Sequence, residues 1–323
     1  MRTIWLCLLF STQIFAGSAA ANKAISKQGE AAALVAQIAK GEGNPNAVIN
    51  RLKYLGEEAY GAQELNNAFF KTPDVARRRA IVEVLASLPS RNGEEALAAA
   101  IGDQDGTVRM LAAQGAGRLK ISEAAPKLQA LLADQTLGVR RDAARSLGLI
   151  GEAKSGPALA RAVKAEDDPE TRAVMLMAAG QTGDKRQVPM LEGFLTHASE
   201  STRFAAAAGL CLLGAASGQK FAKGMLASKD RFQRMQGLML FEGARAREAA
   251  PTLEPLLKDA DHSIQAVSAR ILYQGGDKSK LDWLVLHSFQ ALGDDRLPYE
   301  KELEALRLTD DDRRAILRKA GIK

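Results

Sequence analysis

Apolar residues recur along this chain at helical spacing, in units that repeat every 31 or 32 residues. Val139, Ala143 and Leu147, for example, are four residues apart and would line one face of an α-helix. The pattern is clearest in three segments, 107–121, 138–152 and 170–184. Self-similarity at a period of this length is typical of stacked helical repeats.

Polar residues indicate where the first helix of each unit begins. A recurring arginine is preceded, four residues earlier, by a side chain that can accept hydrogen bonds from free N–H groups at a helix N-terminus. The arginines are Arg109, Arg140, Arg172, Arg203 and Arg234, and Gln265 continues their register. The expected N-caps are Asp105, Thr136, Asp168, Ser199, Asp230 and Asp261, with Thr72 as a seventh.

Glycine and proline predict that each unit is a helical hairpin. Glycines twelve residues after a cap indicate the end of the first helix, and prolines indicate the first turn of a second helix. The glycines are Gly117, Gly148 and Gly180, and the prolines are Pro126, Pro157, Pro189 and Pro251, with Lys220 at the remaining position. One hairpin cannot bury its apolar face alone, so stacked neighbours would share a continuous core.

These patterns predict an all-α fold, an α-solenoid of about seven antiparallel helix pairs over residues 72–296. Residues 22–71 would form a helical N-terminal cap and residues 297–323 a helical C-terminal cap. The composition agrees, since aromatic residues make up only 5% of the chain and alanine is abundant. Such a composition favours closely packed helices over a β-sandwich.

The charge distribution argues against a nucleic-acid partner. The net charge is +6, but basic and acidic residues alternate, with no run of five like charges. Proteins that bind nucleic acid usually concentrate their basic residues in a stripe or an arm.

Residues 1–21 have the features of a signal peptide. Arg2 supplies the positive charge, residues 4–15 a short apolar core, and residues 16–21 a small-residue cleavage region. The apolar stretch is too short to span a bilayer. We therefore expect soluble export, to the periplasm or outside the cell, with no transmembrane segment in the mature chain. A non-cleaved anchor is the alternative.

Removal of residues 1–21 would leave Cys211 as the sole cysteine, which excludes an internal disulfide. Cys211 occupies a helical position where other units carry glycine. We expect it to be a small core residue rather than a reactive thiol.

Residues 139–163, VRRDAARSLGLIGEAKSGPALARAV, resemble the short HEAT-like repeat of the phycobilisome-lyase type, and weaker matches extend over about 72–290. The resemblance implies the solenoid fold but specifies function weakly, because the family includes lyases, an iron hydroxylase and pure scaffolds. It also implies that the recurring arginines pair with acidic caps of adjacent units.

The sequence offers no catalytic, cofactor or metal motif. Relatives of the deoxyhypusine hydroxylase type carry His-Glu pairs, whereas His197, His262 and His287 are followed by Ala, Ser and Ser. These histidines also lack partners at the spacing of a zinc site. Residues 103–106 resemble the start of a calcium loop, but the required later Glu is absent. We predict a protein that is not an enzyme.

A partner surface is expected five and nine residues after each cap, on the outward face of the first helices. Beside two arginines this stripe becomes apolar, which suits an extended peptide or an amphipathic helix. The candidate residues are Arg141, Arg145, Met177, Phe204, Phe232, Met235 and Met239. The same positions could instead be core between repeats.

The sequence thus predicts an exported, monomeric scaffold that binds a protein or peptide on a concave repeat surface. Two alternatives stay open. One is an enzyme or enzyme subunit resembling the lyase-type HEAT proteins, and the other is a structural component of a cell-envelope assembly.

Overall fold

The computed structural model describes residues 26–242 and 246–322, and all regular elements in these ranges are α- or 3-10 helices. The all-α prediction is confirmed. The chain divides into two compact units with the boundary between Glu166 and Asp167. The predicted signal peptide, residues 1–21, lies outside the described residues.

The first unit consists of helices that follow one another through short turns. Their bounds are α1 over 26–40, α2 Pro45–Leu55, α3 Glu58–Phe69, α4 Val75–Ser87, α5 Glu94–Ala100, α6 Gly106–Arg118, α7 Ala125–Ala130, α8 Leu137–Ile150 and α9 Gly156–Ala165. Helices α4, α6 and α8 are the first helices of repeats, and α5, α7 and α9 are the second helices.

The second unit continues the alternation of longer first and shorter second helices. Its bounds are α10 Pro169–Gln181, α11 Val188–Gly193, α12 Glu200–Leu212, α13 Ala216–Leu226, α14 Arg231–Met239, α15 Ala246–Leu253, α16 His262–Gln274, α17 Ser279–Gln290, α18 Leu297–Ala305 and α19 Asp310–Lys319. None of the helices in the described ranges is long and apolar enough to cross a membrane.

The predicted N-caps lie where the register placed them, with two corrections. Five cap side chains accept hydrogen bonds from backbone N–H groups in the first turn of their helices, namely those of Asp105, Asp168, Ser199, Asp230 and Asp261. Thr136 occupies an N-cap position, but its side chain makes no cap hydrogen bond. Thr72 is not a cap, because its hydroxyl donates to the Ala68 carbonyl at the end of α3, 2.8 Å away. Asp74 caps α4 instead, accepting from Arg77 N at 2.9 Å.

Successive first helices within each unit contact each other through small residues. A Cβ on Gly117 would lie 2.5 Å from Ser146 Oγ, and one on Gly180 would lie 2.3 Å from Gly209 Cα. These glycines were predicted to lie near the ends of the first helices, and each stands one residue before the last residue of its helix, α6 or α10. They permit close approach of two helix axes, and the chain turns a few residues later, as at Gly151 with φ +75°.

The second helices begin as predicted in three repeats. Pro126, Pro157 and Pro189 each lie in the first turn of α7, α9 and α11. In the sixth repeat α15 begins at Ala246, so Pro251 lies inside the helix rather than at its start, which corrects the prediction. Lys220 lies within α13.

Cys211 is confirmed as a core residue. Its side chain is 2% exposed and belongs to an apolar cluster with Ala207, Leu226, Leu238 and others of the second unit. Burial raises the pKa of the thiol to about 11, so the group is neutral and unreactive at neutral pH.

Candidate functional site

The recurring arginine joins each repeat to the next one. Arg109 donates from Nε and Nη2 to the two carboxylate oxygens of Asp134, at 2.7 and 3.0 Å. Its Nη1 donates to the carbonyls of Asp103 and Gln104, in the loop before its own helix. The acidic partner therefore belongs to the adjacent unit, as expected, but it lies two residues before the next cap and is not the cap itself.

The same arrangement recurs in other repeats. Arg140 pairs with Glu166 at 2.7 Å in the first unit, and Arg234 pairs with Asp259 at 3.0 Å in the second. Arg78 pairs with Asp103 at 2.7 Å and extends the series by one repeat. Arg78 was not predicted from the sequence, because the cap was placed at Thr72, although the acid 25 residues later indicates it.

Gln265 ends the series without a charge. Its Nε2 donates to the Asp259 carbonyl at 2.6 Å, which is the loop contact that Nη1 makes in the arginines. Its Oε1 accepts from the Tyr299 hydroxyl at 2.6 Å. Tyr299 lies on α18, so a neutral hydrogen bond joins the last repeat to α18 in place of an ion pair.

Arg203 departs from the pattern. Its Nη1 donates to the carbonyls of His197 and Ala198 at 2.8 and 2.9 Å, as in the other repeats. The position 25 residues later, however, is Ser228, whose hydroxyl accepts from Asp230 N at 3.1 Å. Within the described ranges, the Nε and Nη2 atoms of Arg203 have no carboxylate partner.

Arg203 also lines a cavity of about 620 Å³ formed by α12, α13 and their neighbours in the second unit. Phe204, Phe221 and Met225 provide its apolar wall. Lys220 adds a second cationic group, and the Ser217 hydroxyl is buried without a hydrogen-bond partner among the described residues. The cavity thus combines an apolar wall with hydrogen-bond donor atoms that pair with no described residue.

Helix α14 carries an exposed apolar ridge, which we define as Phe232, Met235 and Met239. These residues are three and four positions apart and therefore share one face of the helix. Phe232 is 67% exposed and Met239 is 55% exposed. Met235 is half-buried and packs against the core cluster of this unit.

The remaining candidate residues lie in different surroundings. Met177 on α10 is 40% exposed, and Phe204 is half-buried between the core cluster and the cavity. In the first unit, Arg141 on α8 is half-buried, whereas Arg145 is exposed and donates to the buried carboxylate of Asp142. The same carboxylate accepts from Gln114 of α6 at 2.7 Å, a connection that the sequence analysis did not anticipate.

The histidines make local contacts. His197 Nδ1 accepts from Ser199 N at 3.1 Å, and His262 Nδ1 lies 2.8 Å from the Tyr299 hydroxyl. The His287 ring stacks on Trp283 with 3.6 Å between centroids. In the part of the chain that the structure describes, no group of three or more His, Cys, Asp or Glu residues could hold a metal ion.

Residues 62–148, 95–174 and 134–211 each match the family model described as HEAT repeats. The chain is similar in structure to the CpcE–CpcF complex of phycocyanin lyase from Nostoc, with 20% identity and a TM-score of 0.53, over 76% of this chain and 94% of that chain. Human deoxyhypusine hydroxylase is 19% identical with a TM-score of 0.33, over 78% of this chain and 98% of that chain. At 20% identity the likeness to the CpcE–CpcF complex concerns the fold alone. No protein with a curated description matches the sequence.

Proposed function

Because the chain is a HEAT-repeat protein, we propose that it is an exported, non-catalytic scaffold that binds a protein partner on the α14 ridge. The observation that carries this proposal is the exposure of Phe232 and Met239, both more than half accessible on one helix face. Contiguous exposed apolar side chains of this kind mark interaction surfaces. Repeat proteins commonly use such surfaces for binding.

The two arginines of α14 are already paired, which makes apolar contact the main means by which the ridge would recognise a partner. Arg231 binds Asp261 and Arg234 binds Asp259, both in the following repeat. A partner would therefore meet one aromatic side chain and two methionines. Methionine adapts its shape to irregular apolar surfaces, and an aromatic side chain is a common anchor of protein interfaces.

Export rests on residues 1–21, with their positive N-terminus, short apolar core and small-residue cleavage region. N-terminal sequencing of the mature protein from fractionated host cells tests it. We expect a new N-terminus within or just after residues 16–21, in the periplasmic or extracellular fraction. An intact N-terminus retained with the membrane would support the anchor alternative.

A photo-crosslinking amino acid placed at position 232 or 239 of the full chain tests the ridge in the native host. We expect both positions to capture the same partner, identified by mass spectrometry. Leu292 is the matched control, because it is apolar and 84% exposed but lies outside the ridge. Equal capture from position 292 would contradict the proposal.

Charge substitutions then test the contact with the captured partner after both proteins are purified. Phe232→Glu and Met239→Glu should weaken binding, while Leu292→Glu should leave it unchanged. Because these side chains are exposed, we expect folding stability to change by no more than about 0.5 kcal/mol. Unchanged affinity in both ridge variants would exclude the ridge as the contact.

The two alternatives predict other results from the same preparations. An enzyme of the lyase type would copurify with, or bind, a chromophore detectable by its absorbance. A structural envelope component would copurify with stoichiometric membrane proteins rather than with one soluble partner.

A further inference from the structure

One edge of the Arg203 guanidinium has no partner among the residues that the structure describes. In Arg78 and Arg109 the Nε and Nη2 atoms donate to the carboxylate of an aspartate 25 residues later. In Arg234, Nη2 donates to Asp259 and Nε lies 3.0 Å from the same carboxylate. The residue 25 positions after Arg203 is Ser228. The rest of the arrangement is intact, because Nη1 of Arg203 still binds two loop carbonyls.

Ser228 preserves the turn and removes only the charge. Its hydroxyl accepts from the backbone N–H two residues later, at 3.1 Å. Asp134 and Asp259 accept the equivalent hydrogen bond at 2.8 and 2.9 Å, in addition to binding their arginines. The guanidinium edge of Arg203 is thus held in place by the loop, and within residues 26–242 and 246–322 no carboxylate occupies it.

The chemistry of the adjacent cavity fits an anionic group with an apolar neighbour. Arg203 lies half-buried, and a planar guanidinium edge binds a carboxylate through two parallel hydrogen bonds. Phe204, Phe221 and Met225 form an apolar wall beside it. The volume of about 620 Å³ has room for one or two amino-acid side chains.

We propose that this cavity binds an acidic side chain of a partner polypeptide, whose carboxylate occupies the free edge of Arg203 in place of the missing aspartate. An apolar side chain next to the acid in the partner would pack on Phe204 and Phe221. A polypeptide is favoured because the group that fills this edge at Arg78, Arg109, Arg140 and Arg234 is an Asp or Glu side chain carried by a loop. The inference rests on the proposed function and adds the chemistry of the partner segment.

Two neighbouring residues restrict that segment further. Gln233 of α14 lines the cavity, so the acidic group would be bound next to the helix that carries the ridge. Glu200 lines the same cavity and has no ion-pair partner in the described ranges. Its carboxylate repels any acid, and Arg203 and Lys220 together offset that repulsion for one carboxylate, so the segment should present a single acidic residue between apolar ones rather than an acidic run.

The direct test uses two synthetic peptides, acetyl-Leu-Asp-Phe-amide and its neutral counterpart acetyl-Leu-Asn-Phe-amide. Each is titrated into the full mature chain labelled with nitrogen-15, and the side-chain Nε–H resonance of Arg203 is followed by NMR. We expect the Asp peptide to shift this resonance saturably and the Asn peptide to bind at least about tenfold more weakly, since a neutral amide cannot replace the ion pair. Arg203→Lys assigns the resonance.

Ser228→Asp is the decisive variant, because it would supply the missing carboxylate from within the chain. We expect it to weaken binding of the Asp peptide by about tenfold or more, since the internal acid occupies the same edge of Arg203. Ser228→Asn, with the same shape and no charge, should bind the Asp peptide as the unmodified protein does. A thermal unfolding curve for each variant shows that the fold is retained.

Three results would overturn the inference. These are equal affinity for the Asp and Asn peptides, undiminished binding in Ser228→Asp, and binding of free acetate as tight as that of the Asp peptide. The last result would mean that the site takes a small anion and gains nothing from a polypeptide. Crosslinking from Phe232 and Met239 does not require Arg203, so persistence of those crosslinks would leave the proposed function standing if this inference fails.

Discussion

Arg109 and Asp134 form a bidentate ion pair between consecutive repeats, with Nε–Oδ2 and Nη2–Oδ1 distances of 2.7 and 3.0 Å. The side chains are only 11% and 8% exposed. Because Nη1 of the same arginine holds the loop before its own helix, one side chain fixes both that loop and the start of the next repeat. The pair therefore sets the stacking geometry of two neighbouring units.

Asp134→Asn should destabilise the protein by about 2–4 kcal/mol, because it leaves the Arg109 guanidinium desolvated without its counter-charge. The amide keeps the shape of the side chain and can still accept from Thr136 N. Urea unfolding followed by circular dichroism measures the loss. The matched control is Arg231→Gln, which removes a largely exposed pair with Asp261 and should cost less than about 1 kcal/mol. Equal losses in the two variants would argue against a special role for the buried pair.

The contribution of Asp134 should also depend on pH. Burial raises the pKa of this carboxyl, but hydrogen bonds from Arg109 and Thr136 lower it by more, so the net pKa lies below its usual value. A folded pKa below the unfolded one means that the stabilisation is complete above the unfolded pKa of about 3.9 and is lost as the pH falls through the folded pKa. The difference in unfolding free energy between the unmodified protein and Asp134→Asn should therefore be constant near neutrality and shrink below about pH 4. A difference that stays constant under acid conditions would contradict this assignment.

Gly180→Ala should disrupt the contact between α10 and α12. The added Cβ would lie 2.3 Å from the Gly209 Cα, so backbone must move rather than a flexible side chain. We expect a loss of at least about 3 kcal/mol in unfolding free energy, at the upper end of the range for overpacking. Gly224→Ala in α13 is the control, since its Cβ meets nothing within 4 Å. That variant should be neutral or more stable by up to about 1 kcal/mol.

The periodic features of the fold could be predicted from sequence because each one depends on local chemistry. A cap such as Asp168 satisfies N–H groups of its own helix, and Pro157 needs only a first turn, so both are visible in a single segment. Gly180 shows the limit of this reasoning. Gly180 lies near the end of α10, as its spacing from the cap predicts, but only the neighbouring helix reveals its close contact with Gly209.

The candidate site was harder to predict because it depends on the absence of an acidic residue at position 228, where most other repeats have one. The repeat register identified Arg203 as one of a series of arginines. It did not reveal that most of these arginines pair with an acid 25 or 26 residues later, or that Ser228 stands at that position for Arg203. The spacing can be read in the sequence, but its meaning follows only from the structure, in which the loop of the next repeat lies against the guanidinium. Phe232 and Met239 were named from the sequence, whereas the cavity between α12 and α13 was not.

Cys211 should react slowly in the folded protein. Its side chain is 2% exposed, and burial raises its pKa to about 11, so little thiolate exists at pH 8. Iodoacetamide should modify it far faster in urea than in buffer. Because the folded pKa is above the unfolded value of about 8.5, its stabilising contribution is complete below that pH and is lost as the pH rises through the folded pKa. The unmodified protein should therefore lose stability relative to Cys211→Ala as the solution becomes alkaline. Rapid native alkylation at pH 8 would contradict the assignment.

Ser228→Asp should make the protein more stable. Because this effect needs no partner, it tests the pairing of residue 228 with Arg203 by itself. The new carboxylate would complete the ion pair that Arg234 makes with Asp259 at the same spacing. A charge-assisted hydrogen bond to a partly buried group contributes about 1–2 kcal/mol, measurable as a higher urea midpoint. Arg203→Gln, alone and combined with Ser228→Asp, completes a double-mutant cycle. The gain should vanish when position 203 is Gln, because the carboxylate then has no counter-charge. A gain that persists in the double variant would show that the aspartate acts on the turn and not on the guanidinium of Arg203.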